Sequence, residues 1–146
     1  MLRPCRTNHP TDMELYLSLG ANIGQREQTI QSALSLLSQQ LGPMLRVSDY
    51  YYSEPWGFES ENAFCNCCAC FDTTLDPHEI LRITQQVERE LGRNHKSVQR
   101  IYHDRTIDID IILYGSVELN TPELTIPHPL YREREFVMIP LREVLV

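Results

Sequence analysis

Residues 107–114 read IDIDIILY, an alternation of isoleucine and aspartate that ends in an apolar run. Side chains of a strand alternate between its two faces. The segment therefore puts Ile107, Ile109 and Ile111 on one face and Asp108 with Asp110 on the other. The isoleucine face calls for an apolar cover. The two carboxylates repel each other unless something positive sits between them. One short strand thus asks for a sheet with one packed face and one open, acidic face.

The rest of the chain supplies the parts of such a sheet. Residues 14–19 alternate, with Leu15, Leu17 and Leu19 in phase, and read as a strand that Gly20-Ala21-Asn22 breaks. Residues 25–41 carry Ile30, Ala33, Leu34, Leu37 and Leu41 at helical spacing, and Gly42-Pro43 stops that helix. Residues 45–53 are rich in Val and Tyr and read as a second strand, and 63–74 as a third. Asp76-Pro77-His78-Glu79 has the order of a capping box with proline at the first helical position. The helix it opens runs to Leu91 with Ile80, Ile83, Thr84, Val87 and Leu91 inward. Short helices are expected near 131–135 and 141–146. The order β-α-β-β-α-β predicts an α+β, ferredoxin-like fold: an antiparallel sheet with two helices on one face and active-site loops on the other.

With 146 residues, 42% of them apolar, this is one ordinary domain, read as 13–146 behind a frayed extension over 1–12. Thirteen Lys and Arg against twenty Asp and Glu give a net charge of −7, which argues against a nucleic-acid surface. No apolar run approaches the roughly 20 residues of a membrane span. Four cysteines crowd into residues 65–70. On a strand, Cys65 and Cys67 face one way, and Cys68 and Cys70 the other. Neighbours on one face stand about 7 Å apart, too far for a disulfide. They read as free thiols packed as small hydrophobes, which points to a reducing compartment, the cytoplasm. No long apolar helix asks for a partner, so a monomer is expected.

Two constellations carry chemistry. Arg93, His95, Lys96, Arg100, His103 and Arg105 form a basic cluster just ahead of Asp108 and Asp110 in an otherwise acidic chain. Carboxylates suit hard cations such as Mg²⁺, and arginines hold the remaining charge of a polyphosphate. A solvated strand face neutralised by Arg105 fits the same residues. On the third strand Phe64 and Asn66 share a face, an aromatic plate beside an amide, suited to a flat heterocycle and equally to plain packing. The chain has no GxGxxG and no GxxxxGK[ST] segment, so a nucleotide site here is of another kind.

The order and spacing of several stretches resemble a known family. They are Leu17-Ser18-Leu19-Gly20-Ala21-Asn22, Ser53-Glu54-Pro55-Trp56-Gly57, Phe64-Cys65-Asn66, the run from Glu88 to Arg93, Arg105-Thr106-Ile107-Asp108-Ile109-Asp110, and Ile126-Pro127-His128-Pro129. The family is the 6-hydroxymethyl-7,8-dihydropterin pyrophosphokinases of folate biosynthesis. The resemblance implies transfer of pyrophosphate from ATP to the hydroxymethyl group of a reduced pterin, with AMP leaving and two Mg²⁺ ions as cofactors. It implies Asp108 and Asp110 as metal ligands and Arg93 and Arg105 as catalytic phosphate clamps. Phe64 and Phe136 become the plates around the pterin, with Asn66 and Ser53, Glu54, Pro55 and Trp56 along its edge. Gln85, Glu88, Thr125, His128 and Arg134 fall on the nucleotide side. His95 stands where many relatives carry a second arginine, so either Lys96 or Arg100 compensates or the grip on the phosphates weakens. The competing readings are a metal-dependent phosphohydrolase and a non-catalytic ferredoxin-like binding module.

Overall fold

The computed structural model describes residues 13–53, 63–92 and 106–145. The expected extension over 1–12, the Glu54-Pro55-Trp56 segment and the basic cluster of Arg93, His95, Lys96, Arg100, His103 and Arg105 lie outside the described residues.

The elements follow in the expected order. Strand β1 (Met13–Ala21) leads to helix α1 (Arg26–Leu41), then β2 (Met44–Val47), β3 (Tyr51–Ser53), β4 (Phe64–Thr73), helix α2 (Pro77–Gly92) and β5 (Asp108–Tyr114). A small hairpin, β6 (Leu119–Asn120) with β7 (Thr125–Ile126), precedes a 3-10 turn at Tyr131–Glu133 and helix α3 (Glu135–Val144). In the main sheet β4 and β5 flank β1, and β2 and β3 both pair with the far side of β4. Every pairing is antiparallel. This is the ferredoxin-like arrangement read from the sequence.

Alternation divides the sheet as expected. Leu15, Leu17, Leu19, Cys65, Cys67, Phe71, Ile107, Ile109 and Ile111 join one core with the inward residues of both helices. Ile30, Ala33, Leu34, Leu37 and Leu41 are all buried along α1. On α2 Ile80, Thr84 and Val87 are buried, while Ile83 and Leu91 pack against the core from its margin. The capping box forms: the His78 amide donates to Asp76 Oδ2 at 3.0 Å, and the Asp76 amide donates to Glu79 Oε1 at 3.3 Å. Two orphan donors of the helix start are thereby satisfied.

Three local expectations are corrected. The strand read as 14–19 continues through Gly20 and Ala21, because β4 and β5 pair with it on both sides. Tertiary pairing overrides the weak strand preference of glycine. The strand read as 45–53 is two strands. Between them the Ser48 hydroxyl accepts the Cys68 amide at 3.0 Å, standing in for a main-chain carbonyl, while the Ser48 amide donates to the Cys68 carbonyl at 2.9 Å. The two C-terminal helices are one 3-10 turn and one α-helix that runs through Pro140.

The second face of the sheet is only partly left to loops. Helix α3 lies on it and builds a smaller core from Tyr16, Cys68, Cys70, Ile112, Val137, Leu141 and Val144. Its C-terminal end is tied down. Arg46 Nε donates to the Val144 carbonyl at 2.7 Å, and the Asp49 amide donates to Glu143 Oε1 at 2.8 Å. Arg46 also holds Glu14 at 2.9 Å.

The described cysteines are free and buried. Burial pushes the Cys65 and Cys70 thiols up to about 11 and Cys68 up to about 12. They are therefore protonated and poor nucleophiles at neutral pH.

Gly42 ends α1 with φ +136°, a conformation that side chains rarely adopt, and a Cβ there would collide with the Asp72 carbonyl oxygen. Gly42→Ala is expected to lower stability in urea unfolding by about 1–3 kcal/mol. Gly92→Ala is the control, since among the described residues a Cβ there meets nothing within 4 Å, and it should stay within about 1 kcal/mol of the parent.

Candidate active site

The register lines up residues from three strands on the second face. Gly20 pairs with Asn66 on one side and Asp108 on the other. In the next row of that face Ser18 lies between Cys68 and Asp110. Strands are spaced about 4.8 Å apart, so Asn66 and Asp108 flank a gap of roughly 10 Å whose middle carries no side chain. Helix α3 covers the other end of this face, which leaves the Asn66–Gly20–Asp108 row beside its N-terminal end. Asp108 and Asp110 are both half-buried, with the isoleucines between and beside them in the opposite core.

Asn66 is fixed by β3. Its Nδ2 donates to the Tyr51 carbonyl at 3.0 Å and to Ser53 Oγ at 2.9 Å, with a longer contact to the Phe64 carbonyl at 3.4 Å. Three acceptors around one nitrogen settle the orientation of the amide. The oxygen is left as the group that can meet a ligand, so Asn66 offers an acceptor. Phe64, two residues earlier, lines the same face and is half-buried.

The outer edge of β5 is closed by two of the expected residues. Glu88 Oε2 accepts the Ile109 amide at 2.7 Å. The Glu88 carboxylate thus reaches the backbone between the two aspartates rather than standing free on a helix face. Gln85 lies one turn earlier on the same side of α2 and is exposed. On the same strand edge, the His128 amide donates to the Ile112 carbonyl at 3.0 Å.

His128 is held in one form. Its Nδ1 accepts the Leu130 amide at 3.2 Å, which requires that nitrogen to be unprotonated and leaves Nε2 as the donor. Burial, then the neighbouring Arg134 guanidinium, lower its pKa below the ordinary histidine value, against the pull of Asp108. His128, Arg134 and Asp108 therefore share one electrostatic neighbourhood. Arg134 also lies over the Phe136 ring, 5.8 Å from its centre. Phe136 packs against the edge of the α3 core. Thr125 sits on β7, where its hydroxyl meets Asn120 Oδ1 at 3.4 Å.

Of the expected residues, Ser53, Phe64 and Asn66 stand at the β3–β4 end, Asp108 and Asp110 on β5, and His128, Arg134 and Phe136 around the start of α3. Gln85 and Thr125 make no described contact with these groups. Sequence reading missed two contributors, Gly20 and the Tyr51 carbonyl. Counting the phase of β1 finds the first, because Leu15, Leu17 and Leu19 claim one face and leave position 20 on the other. The second depends on where β3 begins, which no local signal marks.

No group of three metal-ligating side chains occurs among the described residues. Two aspartate carboxylates are nevertheless a suitable donor set for Mg²⁺, which commonly takes one or two carboxylates and completes its shell with water and phosphate oxygens.

A proton-detected NMR titration should find His128 protonating below the ordinary histidine value of about 6.5, with its proton on Nε2 at neutral pH. Because the fold disfavours its charged form, stability drawn from the neutral ring falls as the pH drops through and below about 6.5. An ordinary midpoint, or a proton on Nδ1, would contradict the hydrogen-bond assignment.

A sequence model described as 7,8-dihydro-6-hydroxymethylpterin-pyrophosphokinase matches residues 16–146. A 2-amino-4-hydroxy-6-hydroxymethyldihydropteridine pyrophosphokinase of Porphyromonas gingivalis is 47% identical over 131 residues, covering 89% of either chain. The protein of that name in Bacillus subtilis is 40% identical over 130 residues, 88% of this chain and 76% of its own. Among solved structures, Plasmodium falciparum HPPK-DHPS with pterin and p-hydroxybenzoate superposes with a TM-score of 0.69 at 15% identity. That match covers 91% of this chain and 39% of the longer fused one. The fold agrees with that domain. With close to half its residues shared with a relative over most of both lengths, the chain belongs to the 7,8-dihydro-6-hydroxymethylpterin-pyrophosphokinase family of folate biosynthesis.

Proposed function

We propose that the open face of the sheet carries out the family's reaction by positioning and charge, with no covalent intermediate. The chain transfers pyrophosphate from ATP to 6-hydroxymethyl-7,8-dihydropterin, giving AMP and the pterin diphosphate. The hydroxymethyl oxygen bonds to the β-phosphorus of ATP, and the bond from that phosphorus to the α–β bridging oxygen breaks. AMP leaves with the bridging oxygen, and the hydroxyl proton passes to solvent. Such a transfer needs aligned reactants and a stabilised triphosphate more than it needs a strong base, and no side chain is assigned that role.

The division of labour follows the row across the three strands, which is the single observation that carries the reading. Asn66 and Phe64 take the pterin at one end of the row, with Phe136 as the second plate and Ser53, Glu54, Pro55 and Trp56 along the edge. Asp108 and Asp110 would hold two Mg²⁺ ions at the other end, and when bound these would offset the triphosphate charge. Arg93 and Arg105 clamp the phosphates. His128, as an Nε2–H donor beside Arg134, faces the nucleotide with Thr125 and Gln85. Glu88 acts there through the backbone it holds. Support for this comes from the shared neighbourhood of His128, Arg134 and Asp108. The buried free thiols suit a cytoplasmic enzyme, and the single chain is taken as the working unit.

Purified protein with ATP, Mg²⁺ and the reduced pterin alcohol should release one AMP per pterin diphosphate. Release of ADP would indicate a simple kinase, and inorganic phosphate alone a phosphohydrolase. Asp110→Ala should lower turnover at least about 100-fold with the melting temperature changed by only a few degrees, since the carboxylate faces away from the main core. Wild-type turnover in that variant would refute the metal assignment. In steady-state kinetics Phe64→Ala should raise the pterin KM several-fold through lost stacking, with the ATP KM changed less than about twofold. Equal losses would mark Phe64 as packing alone.

A further inference from the structure

Gly20 occupies the centre of the row, yet its backbone gives no reason for a glycine, since its φ is not among the positive ones. The reason lies in space. A Cβ built at Gly20 would stand 2.9 Å from Asn66 Oδ1 and 3.8 Å from Phe64 Cδ1. The first distance is closer than atoms of this kind tolerate. The second is ordinary contact. Asn66 cannot simply swing aside, because its nitrogen is held by the Tyr51 carbonyl and by Ser53 Oγ. Its oxygen therefore lies over the bare backbone of Gly20, in the space a side chain would fill. We propose that Gly20 is a positioning residue: the missing side chain lets the Asn66 carboxamide lie low across β1, and so sets the level and angle at which a flat heterocycle meets Asn66 and Phe64.

The inference rests on the functional reading above for its ligand, but its steric core does not. Any residue larger than glycine at position 20 lifts or turns the carboxamide. The same residue would also narrow the gap between Asn66 and Asp108, where the reduced pterin and the phosphates approach each other. The effect should fall on the heterocycle, because Asp108 and Asp110 belong to the neighbouring strand and keep their own backbone.

Gly20→Ala in the full chain supplies the test. Without ligand, the Asn66 side-chain amide resonances should shift in ¹H–¹⁵N spectra, and unchanged resonances overturn the steric claim. By calorimetry, the Kd for 6-hydroxymethylpterin should rise about 10-fold while that for a Mg²⁺-bound non-hydrolysable ATP analogue changes less than about twofold. An unchanged pterin Kd, or equal losses for both ligands, overturns the positioning role. Absence of pterin binding by the parent chain overturns the functional reading instead, and the ligand part of this one with it. Should Gly20→Ala fold poorly, adding Asn66→Ala removes the collision and should restore the melting temperature. Failure to restore it overturns the proposal.

Discussion

Strand β1 is paired along both edges, with β4 from Met13 to Ala21 and with β5 from Leu15 to Gly20. Everything at the site depends on that double pairing. Register fixes which residues stand side by side, and the two-residue period fixes which face they share. A slip of β5 by one residue against β1 would carry Asp108 and Asp110 into the helix-covered core and bring isoleucines to the open face. The buried isoleucines at 107, 109 and 111 oppose such a slip, because it would expose all three at once. Roughly 25 cal/mol for each Å² of apolar surface makes that cost several kcal/mol. The hydrophobic core thus acts at a distance on the chemistry: it chooses the alignment, and the alignment places Asn66, Gly20 and Asp108 in a line.

The second face is partitioned rather than simply open. Helix α3 claims one end through Val137, Leu141 and Val144, and Arg46 and Glu143 fasten its last turn to the neighbourhood of β2. The start of α3 brings Arg134 and Phe136 alongside the other end. Burial at one end of the helix therefore locates functional candidates at the other. The same division explains the cysteines. Cys65 and Cys67 fill the main core, Cys68 and Cys70 the smaller one, and burial raises all four thiols well above neutrality.

Much of the fold was legible because its signals are local. Helix α1 declares itself through five apolar positions at helical spacing, and α2 through a capping box that forms as written. The faces of residues 107–111 could be read from the isoleucine–aspartate alternation alone, whereas the register shift against β1 that puts Tyr114 into the main core could not. What escaped sequence reading depends on partners. Gly20 looks like a strand breaker until two neighbouring strands hold it extended. Ser48 looks like an ordinary strand residue until its hydroxyl takes an amide from β4. Glu88 looks like a solvated helix residue, and only the packing of α2 against β5 brings its carboxylate to the Ile109 amide. Side-chain to main-chain bonds across long sequence separations leave no period to detect.

The way Glu88 and His128 occupy the outer rungs of β5 bears on how open that strand is to further pairing. A terminal strand normally presents unpaired donors and acceptors that invite an intruding chain. Here an adventitious strand would have to evict a carboxylate from the Ile109 amide and the His128 amide from the Ile112 carbonyl before it gained a single rung. The opposite margin, at β2, carries exposed Met44, Leu45 and Val47. The two margins of the sheet thus differ: the one that carries the aspartates has rungs already taken, and the remote one presents apolar side chains to solvent.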